Sequence, residues 1–180
     1  MDRFVNSILP HVPSCPRTLI KSEVLAAAIA FCVESYIYQV DSEEEVLAGE
    51  DTITLTVPDN TDLVDVQVSI DKAGYTSYSR ADNEITLDTP AGSDTTYRVT
   101  QFLAPAADAT SLPDLLFVRW KEALVTKARA ELMLMPEKKW FNPNLAQVNQ
   151  AKYLHELGNA KMEARKPIGQ ARMRVKMRGW

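Results

Sequence analysis

Residues 63–70 read Leu-Val-Asp-Val-Gln-Val-Ser-Ile, and this stretch decides the fold class because its hydrophobic pattern repeats every two residues. The apolar side chains fall on one face of an extended strand and the polar ones on the other: Val64, Val66, Val68 and Ile70 against Asp65, Gln67 and Ser69. This alternation predicts a β-strand with one buried face, and such a strand needs partners on either side.

The sequence around this strand predicts its partners. Residues 52–57, 75–79, 85–87 and 95–103 are short β-prone runs, separated by turns at 71–74 and 90–92, and residues 43–47 are a candidate edge strand. Together they predict a small antiparallel lobe of five or six strands within residues 41–110.

Helical patterns flank this lobe on both sides. The first helix is expected at residues 16–38, after Ser14 as a candidate N-cap, and the second at 111–135, with Ser111 as a candidate cap. The third is expected at 142–165, with Asn142 as cap and Pro143 at the first helical position. Its apolar pattern, formed by Leu145, Val148, Leu154 and Leu157, is thin, so we expect one side of this helix to meet water or another subunit.

The elements predict an α+β fold. The expected core has three main helices, one N-terminal and two in a C-terminal helical hairpin, with the antiparallel β lobe inserted between them and an extended C-terminal arm. The corresponding divisions are residues 1–40, 41–110, 111–166 and 167–180.

Charge is divided sharply along the chain, although the formal net charge is only −4. Residues 41–110 contain 15 acidic and 3 basic side chains, whereas residues 165–180 contain 6 basic and no acidic ones. The acidic block would repel nucleic acid, and the basic segment would attract a polyanion or an acidic protein surface.

The basic segment has a regular pattern. Four cationic side chains (Arg172, Arg174, Lys176 and Arg178) alternate with three apolar ones (Met173, Val175 and Met177), and Trp180 follows. In an extended strand this alternation gives one basic and one apolar side. The segment has too little surface to fold alone, so we expect it to add to a sheet edge or to lie in a groove of another protein.

Motifs for catalysis or metal binding are not evident in the sequence. The two histidines, His11 and His155, are far apart in the chain, and the acidic run at residues 43–45 lacks the glycine-assisted spacing of a calcium loop. Cys32 lies on an apolar helix stripe, and Cys15 has no local base. We therefore expect no enzyme activity and no cofactor or metal.

The hydrophobic and cysteine content also indicates a compartment. The longest apolar run, residues 24–33, is too short to cross a bilayer, so no membrane partner is expected. Two cysteines are too few for a disulfide scaffold, and a reducing cytoplasm is the default expectation.

Three blocks resemble the head-to-tail adaptor proteins of tailed bacteriophages and prophages. They are residues 9–16 (Leu-Pro-His-Val-Pro-Ser-Cys-Pro) before an alanine-rich helix, residues 111–136 from Ser-Leu-Pro-Asp-Leu to Leu-Met-Leu-Met-Pro, and residues 139–146 (Lys-Trp-Phe-Asn-Pro-Asn-Leu-Ala). The order and spacing of these blocks carry the resemblance, which is weakest in the acidic β block.

The resemblance implies a structural virion protein. Such adaptors form a ring, typically of twelve copies, below the phage portal protein, where they extend the channel for genomic DNA and dock the tail tube, nozzle or other tail proteins. The implied location is the head–tail neck of the virion, with host cytoplasm during assembly.

The implied site residues fall into two groups. The portal-binding arm comprises Arg172, Met173, Arg174, Val175, Lys176, Met177, Arg178 and Trp180. The candidates for subunit packing are Trp120, Trp140 and Phe141; for the last two, anchoring of the helical hairpin in the core is the alternative.

Two other functions stay open. A tail-completion or tail-terminator protein is also a ring component, at a different joint of the virion. A DNA-binding protein that uses the basic segment is the other, although the strongly acidic middle of the chain counts against it.

Overall fold

The computed structural model describes residues 1–70 and 74–165. The predicted turn at 71–74, except Gly74, and the predicted arm at 167–180 lie outside the described residues. Within the described ranges the chain is an α+β protein with five α-helices and two antiparallel sheets. The helices are α1 (Asp2–Ile8), α2 (Arg17–Ser35), α3 (Asp114–Val118), α4 (Lys121–Met133) and α5 (Pro143–Ala164), and a 3₁₀ turn, Leu9–His11, follows α1.

The helices share one hydrophobic core, which we call the helical body. Phe31 of α2 lies at its centre, where its ring contacts Trp120 and Tyr153 with centroid distances of 5.6 and 6.3 Å. Phe4 of α1 packs edge-on against Phe117 of α3 at 5.3 Å. The short first and third helices are therefore fixed to the longer ones by aromatic contacts.

Local chemistry explains where the helices begin and end. The side chain of Asn142 accepts a hydrogen bond from the backbone N–H of Leu145 at 3.0 Å, and Pro143 takes the first helical position, as predicted. Helix α2 ends at Ser35, because the next residue, Tyr36, has a left-handed backbone (φ 55°) that stops the helical repeat.

Several helix predictions are wrong. Neither Ser14 nor Ser111 caps a helix, because Pro16 and Pro113 occupy the N-cap positions, and Ser14 takes a positive φ of 68°. The expected helix at 111–135 is two helices, since the backbone of Trp120 leaves the helical region (φ −119°, ψ 18°). Helix α1 was not predicted at all, so the described residues contain five α-helices where three main ones were expected.

Seven strands follow α2 in the chain: β1 (Gln39–Val46), β2 (Thr52–Thr54), β3 (Thr61–Ile70), β4 (Gly74–Tyr75), β5 (Tyr78–Ala81), β6 (Glu84–Leu87) and β7 (Thr95–Pro105). They form a four-stranded sheet in the order β1-β7-β3-β4 and a three-stranded sheet in the order β2-β6-β5. The expectation of five or six strands was too low, because the predicted strand at 75–79 is two strands.

The two sheets enclose a second hydrophobic cluster, and we call this unit the β lobe. Val68 and Val99 are fully buried there and lie opposite each other on β3 and β7. The predicted alternation of β3 is confirmed from Asp65 onward. A register shift between Leu63 and Asp65 displaces Val64, which packs against the helical body instead of continuing the lobe's apolar face.

Candidate interaction surfaces

The first surface is an acidic row on β1, the first strand of its sheet. Asp41, Glu43 and Glu45 are exposed at alternate positions on one face, whereas Val46 at the end of the strand is buried. Arg98 of β7 is 3.7 Å from Glu43, and Lys161 and Arg165 line the adjoining cleft together with Asp41. Thr100 of β7 donates a hydrogen bond to Asp41 at 2.7 Å. The row is therefore only partly neutralised, because a single exposed ion pair of this kind is weak.

An open cleft of about 880 Å³ adjoins this row. Its wall combines the outer face of the four-stranded sheet with the C-terminal ends of α2 and α5. The Gln39 side-chain amide donates hydrogen bonds to the carbonyl oxygens of Tyr36 at 2.8 Å and Ala164 at 3.2 Å. These bonds fix the end of α5 beside the start of β1, so the chain leaves Arg165 at the margin of the cleft.

The third surface is the outward face of α5. The residues that α5 buries are Ala146, Asn149, Tyr153, Leu157 and Ala160. Three of the four residues in its predicted apolar pattern are exposed instead: Leu145 (39%), Val148 (51%) and Leu154 (55%), and Met162 is exposed at 67%. Leu157 is therefore the one residue of the predicted pattern that the inner face buries. At about 100° per residue, Val148 and Met162 lie within about 40° of each other on the outward side, whereas Leu145 and Leu154 lie on its two opposite flanks.

Polar contacts hold α5 in this orientation. The amide of Asn149 donates to the carbonyl oxygen of Leu145 at 2.9 Å and to the sulfur of Met133 on α4 at 3.6 Å. Arg119 forms an ion pair with Glu163 at 2.5 Å. Rotating α5 to bury Leu145 and Val148 would expose Tyr153 and Asn149 and would break the contacts of Asn149 with Met133 and of Glu163 with Arg119.

The predicted subunit-packing residues are in different environments. Trp120 is only 6% exposed and packs against Phe31, so it belongs to the subunit's own core and offers little surface to a neighbour. Trp140 is half-buried and packs against the helical body, which corresponds to the anchoring alternative. Phe141 is 48% exposed and leaves part of its ring available for a subunit contact.

The predicted arm residues all lie outside the described residues: Arg172, Met173, Arg174, Val175, Lys176, Met177, Arg178 and Trp180. The structure describes the chain up to Arg165, beside the cleft, and therefore gives the place from which the arm departs.

The described residues contain little reactive chemistry. Both cysteines are free and buried, and burial raises the pKa of the Cys32 thiol to about 12. Burial also raises the pKa of Cys15, and the nearby Glu23 carboxylate adds to this effect. Burial lowers the pKa of His11, and the positive charge of the nearby Arg129 lowers it further. No group of three or more histidine, cysteine or acidic side chains within residues 1–70 and 74–165 could hold a metal ion.

Comparison with known proteins gives no assignment. No protein-family model matches the chain, and no curated protein is significantly similar to it. In the part of the chain that the structure describes, none of the helices combines the length and hydropathy that a membrane span needs.

Sequence reasoning missed the outward face of α5 and the alignment of the acidic row. The signal for α5 was present: residues 146, 149, 153, 157 and 160 recur at spacings of three and four, which is the helical period. It was hidden because two of these positions are alanine and one is asparagine. The prediction of an edge strand at residues 43–47 is confirmed by the sheet order, but the sequence analysis did not place Asp41 in one exposed row with Glu43 and Glu45.

Proposed function

We propose that this protein is a structural subunit of a phage head-to-tail adaptor ring, in which each subunit contacts its neighbours through the helical body and the portal through its arm. The observation that carries the proposal is the exposure of apolar side chains on α5, with Val148 and Met162 on its outward side, on the helix that precedes the basic segment in the chain. A ring subunit needs one surface for its neighbours in the ring and another for the portal on which the ring forms. In this proposal α5 supplies the first and the basic segment supplies the second.

In this proposal the three longest helices, α2, α4 and α5, correspond to the expected three-helix core, and the β lobe is the inserted unit. Val148 and Met162 on α5, together with Phe141 at its start, form the lateral contact with the next subunit. Head-to-tail contacts of this kind close into a ring when the rotation between subunits is suitable, and twelve copies are the number that the resemblance implies.

The arm is the portal-binding element of the proposal. Its basic side chains would meet acidic groups on the portal, and Met173, Val175, Met177 and Trp180 would fill apolar grooves. Binding orders the segment and so costs conformational entropy, which makes each contact weak on its own. Arms bound side by side on a portal ring hold adjacent helical bodies at high effective concentration, so the ring forms on its template.

The β lobe would face the tail proteins or line the channel for genomic DNA. Its acidic character suits either position, because a negative surface does not retain passing DNA and also attracts basic tail proteins. The protein would be present in the host cytoplasm during assembly and in the head–tail neck of the virion afterwards.

Deletion of the residues after Ile168 tests the arm. We expect the truncated protein to fold with unchanged circular dichroism and thermal midpoint, because residues 4–160 supply both hydrophobic clusters of the described chain. It should no longer attach to portal rings, as measured by native mass spectrometry of the mixture. Portal attachment by the truncated protein would refute the arm role, and co-purification of the full chain with tail tube in place of portal would favour a tail-terminator ring.

Paired substitutions on α5 test the lateral contact. Val148→Ser with Met162→Gln should weaken assembly on the portal by about tenfold or more, since two exposed apolar side chains lose their contact with a neighbour. The matched control is Gln147→Ser with Lys161→Gln on the same helix, which leaves the apolar residues in place. Equal assembly by the two variants, measured by electron microscopy of portal mixtures, would exclude α5 as the ring contact.

A further inference from the structure

The outer edge of β1 is open in the part of the chain that the structure describes. There β1 has one strand neighbour, β7, and stands first in the order β1-β7-β3-β4. An edge strand presents unpaired backbone N–H and C=O groups, which accept a further strand. With eight residues, β1 is long enough to pair with a segment of about seven.

The two faces of β1 differ in a way that selects such a segment. The outer face carries Asp41, Glu43 and Glu45, with Arg98 at 3.7 Å from Glu43. The other face is less exposed: it carries Val40, Ser42, Glu44 and the buried Val46. An added strand would match β1 if it carried cations at every second position and apolar side chains between them.

Residues 172–178 of this chain have that pattern. Four basic side chains occupy alternate positions, as the acidic ones do on β1, and Met173, Val175 and Met177 lie between them. A shift of one residue would place the basic row on the wrong face of the sheet. The charges therefore determine which face of the added strand lies beside the acidic row, and backbone hydrogen bonds to β1 hold the two strands side by side.

We propose that residues 172–178 of one copy of this chain add as a strand to the β1 edge of a second copy. The chain leaves Arg165 beside Gln39, at the start of its own β1. Arg172 lies seven residues after Arg165 and can reach at most about 23 Å from it, which is about the length of β1 from Gln39 to Val46 at about 3.3 Å per residue. To pair antiparallel with its own β1, as β7 does, the arm would have to begin at the Val46 end and would need this linker fully extended, whereas the arm of a second copy can approach the edge without that constraint.

This inference goes beyond the adaptor proposal and does not depend on a portal. The same arm cannot occupy β1 and a portal groove at once, so pairing between copies would compete with portal binding. Pairing between copies would hold residues 172–178 in a defined place until a portal ring, which binds many arms at once, takes them from the β1 edge.

Sedimentation equilibrium of the full chain tests the pairing, with three variants. The edge variant is Asp41→Asn, Glu43→Gln and Glu45→Gln, and the arm variant is Arg172→Gln, Arg174→Gln, Lys176→Gln and Arg178→Gln. The control, Asp59→Asn, Glu84→Gln and Asp88→Asn, makes the same charge change as the edge variant at exposed sites of the lobe away from β1. The unmodified chain and the control should associate alike, and the edge and arm variants should associate about tenfold more weakly, because three or more cross-strand ion pairs are lost.

Mixing the edge variant with the arm variant identifies pairing between copies. The first keeps an intact arm and the second an intact edge, so mixed pairs should form that neither variant forms alone, and isotope labelling of one partner makes them visible by native mass spectrometry. Hydrogen exchange at the β1 amides should slow in the mixture. The unmodified protein offers a further measurement: raising salt from about 0.05 M to about 0.5 M should weaken association about tenfold, since exposed charges are then screened.

A monomeric unmodified chain at every concentration would overturn the inference, whether or not β1 is protected within one copy. Equal association by the edge variant and the control would overturn it as well. Failure of the adaptor proposal would be seen separately, because it concerns attachment to portal rings and these measurements contain no portal.

Discussion

The helical body and the β lobe differ in how they are stabilised. Among the residues that the structure describes, the body buries 24 in one cluster, including Phe4, Phe31, Trp120 and Tyr153, whereas the lobe buries 10, most of them aliphatic. Hydrophobic burial is the main favourable contribution to folding, so most of the stability of this protein resides in the body.

The same difference separates two kinds of surface. The body exposes apolar side chains on α5, such as Val148 and Met162, and the lobe presents an open, acidic strand edge. An apolar helix face gives contacts that persist at high salt, while a charged edge gives contacts that weaken with salt. The molecule thus combines a surface suited to a durable contact with one suited to a reversible contact.

The largest expected effect is in the body. Phe31→Ala should lower the free energy of unfolding by about 3–5 kcal/mol, because it removes the ring that contacts both Trp120 and Tyr153 and leaves a cavity. Chemical denaturation followed by circular dichroism measures the loss. Val33→Ala on the same helix is the control, since Val33 is 42% exposed and should change stability by less than about 0.5 kcal/mol. Similar losses for the two variants would contradict the assignment of Phe31 to the centre of the core.

A core substitution in the lobe should have a smaller and more local effect. Val68→Ala removes a fully buried side chain between the sheets and should cost about 2 kcal/mol. Hydrogen exchange should accelerate at β3 and β7 more than at α4, because the lobe has its own cluster. Ser69→Ala, at the next position but on the outer face, should leave exchange nearly unchanged. Uniform acceleration in lobe and body would mean that the two unfold together.

The smallest of these effects concerns a helix end. Asn142→Ala should cost about 1 kcal/mol, because the backbone N–H of Leu145 loses its side-chain acceptor at the start of α5. Asn144→Ala, two residues further on, is the control: Asn144 is exposed, and alanine is a better helix former. Thermal denaturation of both variants measures the difference. A loss for Asn144→Ala as large as for Asn142→Ala would show that the cap does not stabilise α5.

Elements set by local chemistry were predicted well from the sequence. Asn142 and Pro143 specify the start of α5 through a side-chain hydrogen bond and a fixed φ, and both effects act within three residues. The alternation in β3 was equally readable, because a strand with one buried face repeats every two residues.

Features set by tertiary packing were not predictable in the same way. The helix expected at 111–135 breaks at Trp120, and this break accompanies the burial of its ring against Phe31, a residue 89 positions earlier in the chain. The orientation of α5 was misjudged for a related reason: its buried face is made of small and polar residues whose partners lie on other helices. Periodicity within one helix contains no information about such partners.

The two ends of the lobe meet at a single place. Gln39 at the start of β1 lies opposite Phe102 on β7, and the backbone N–H of Leu103 donates to the carbonyl oxygen of Tyr38 at 2.9 Å. When the two ends of an inserted unit are adjacent, the unit can be replaced by a short loop or by another domain without changing the distance between the flanking helices. A different lobe would therefore fit the same helices if its two ends lay side by side and if it kept the contacts that Val64 and Ala104 make with the helical body.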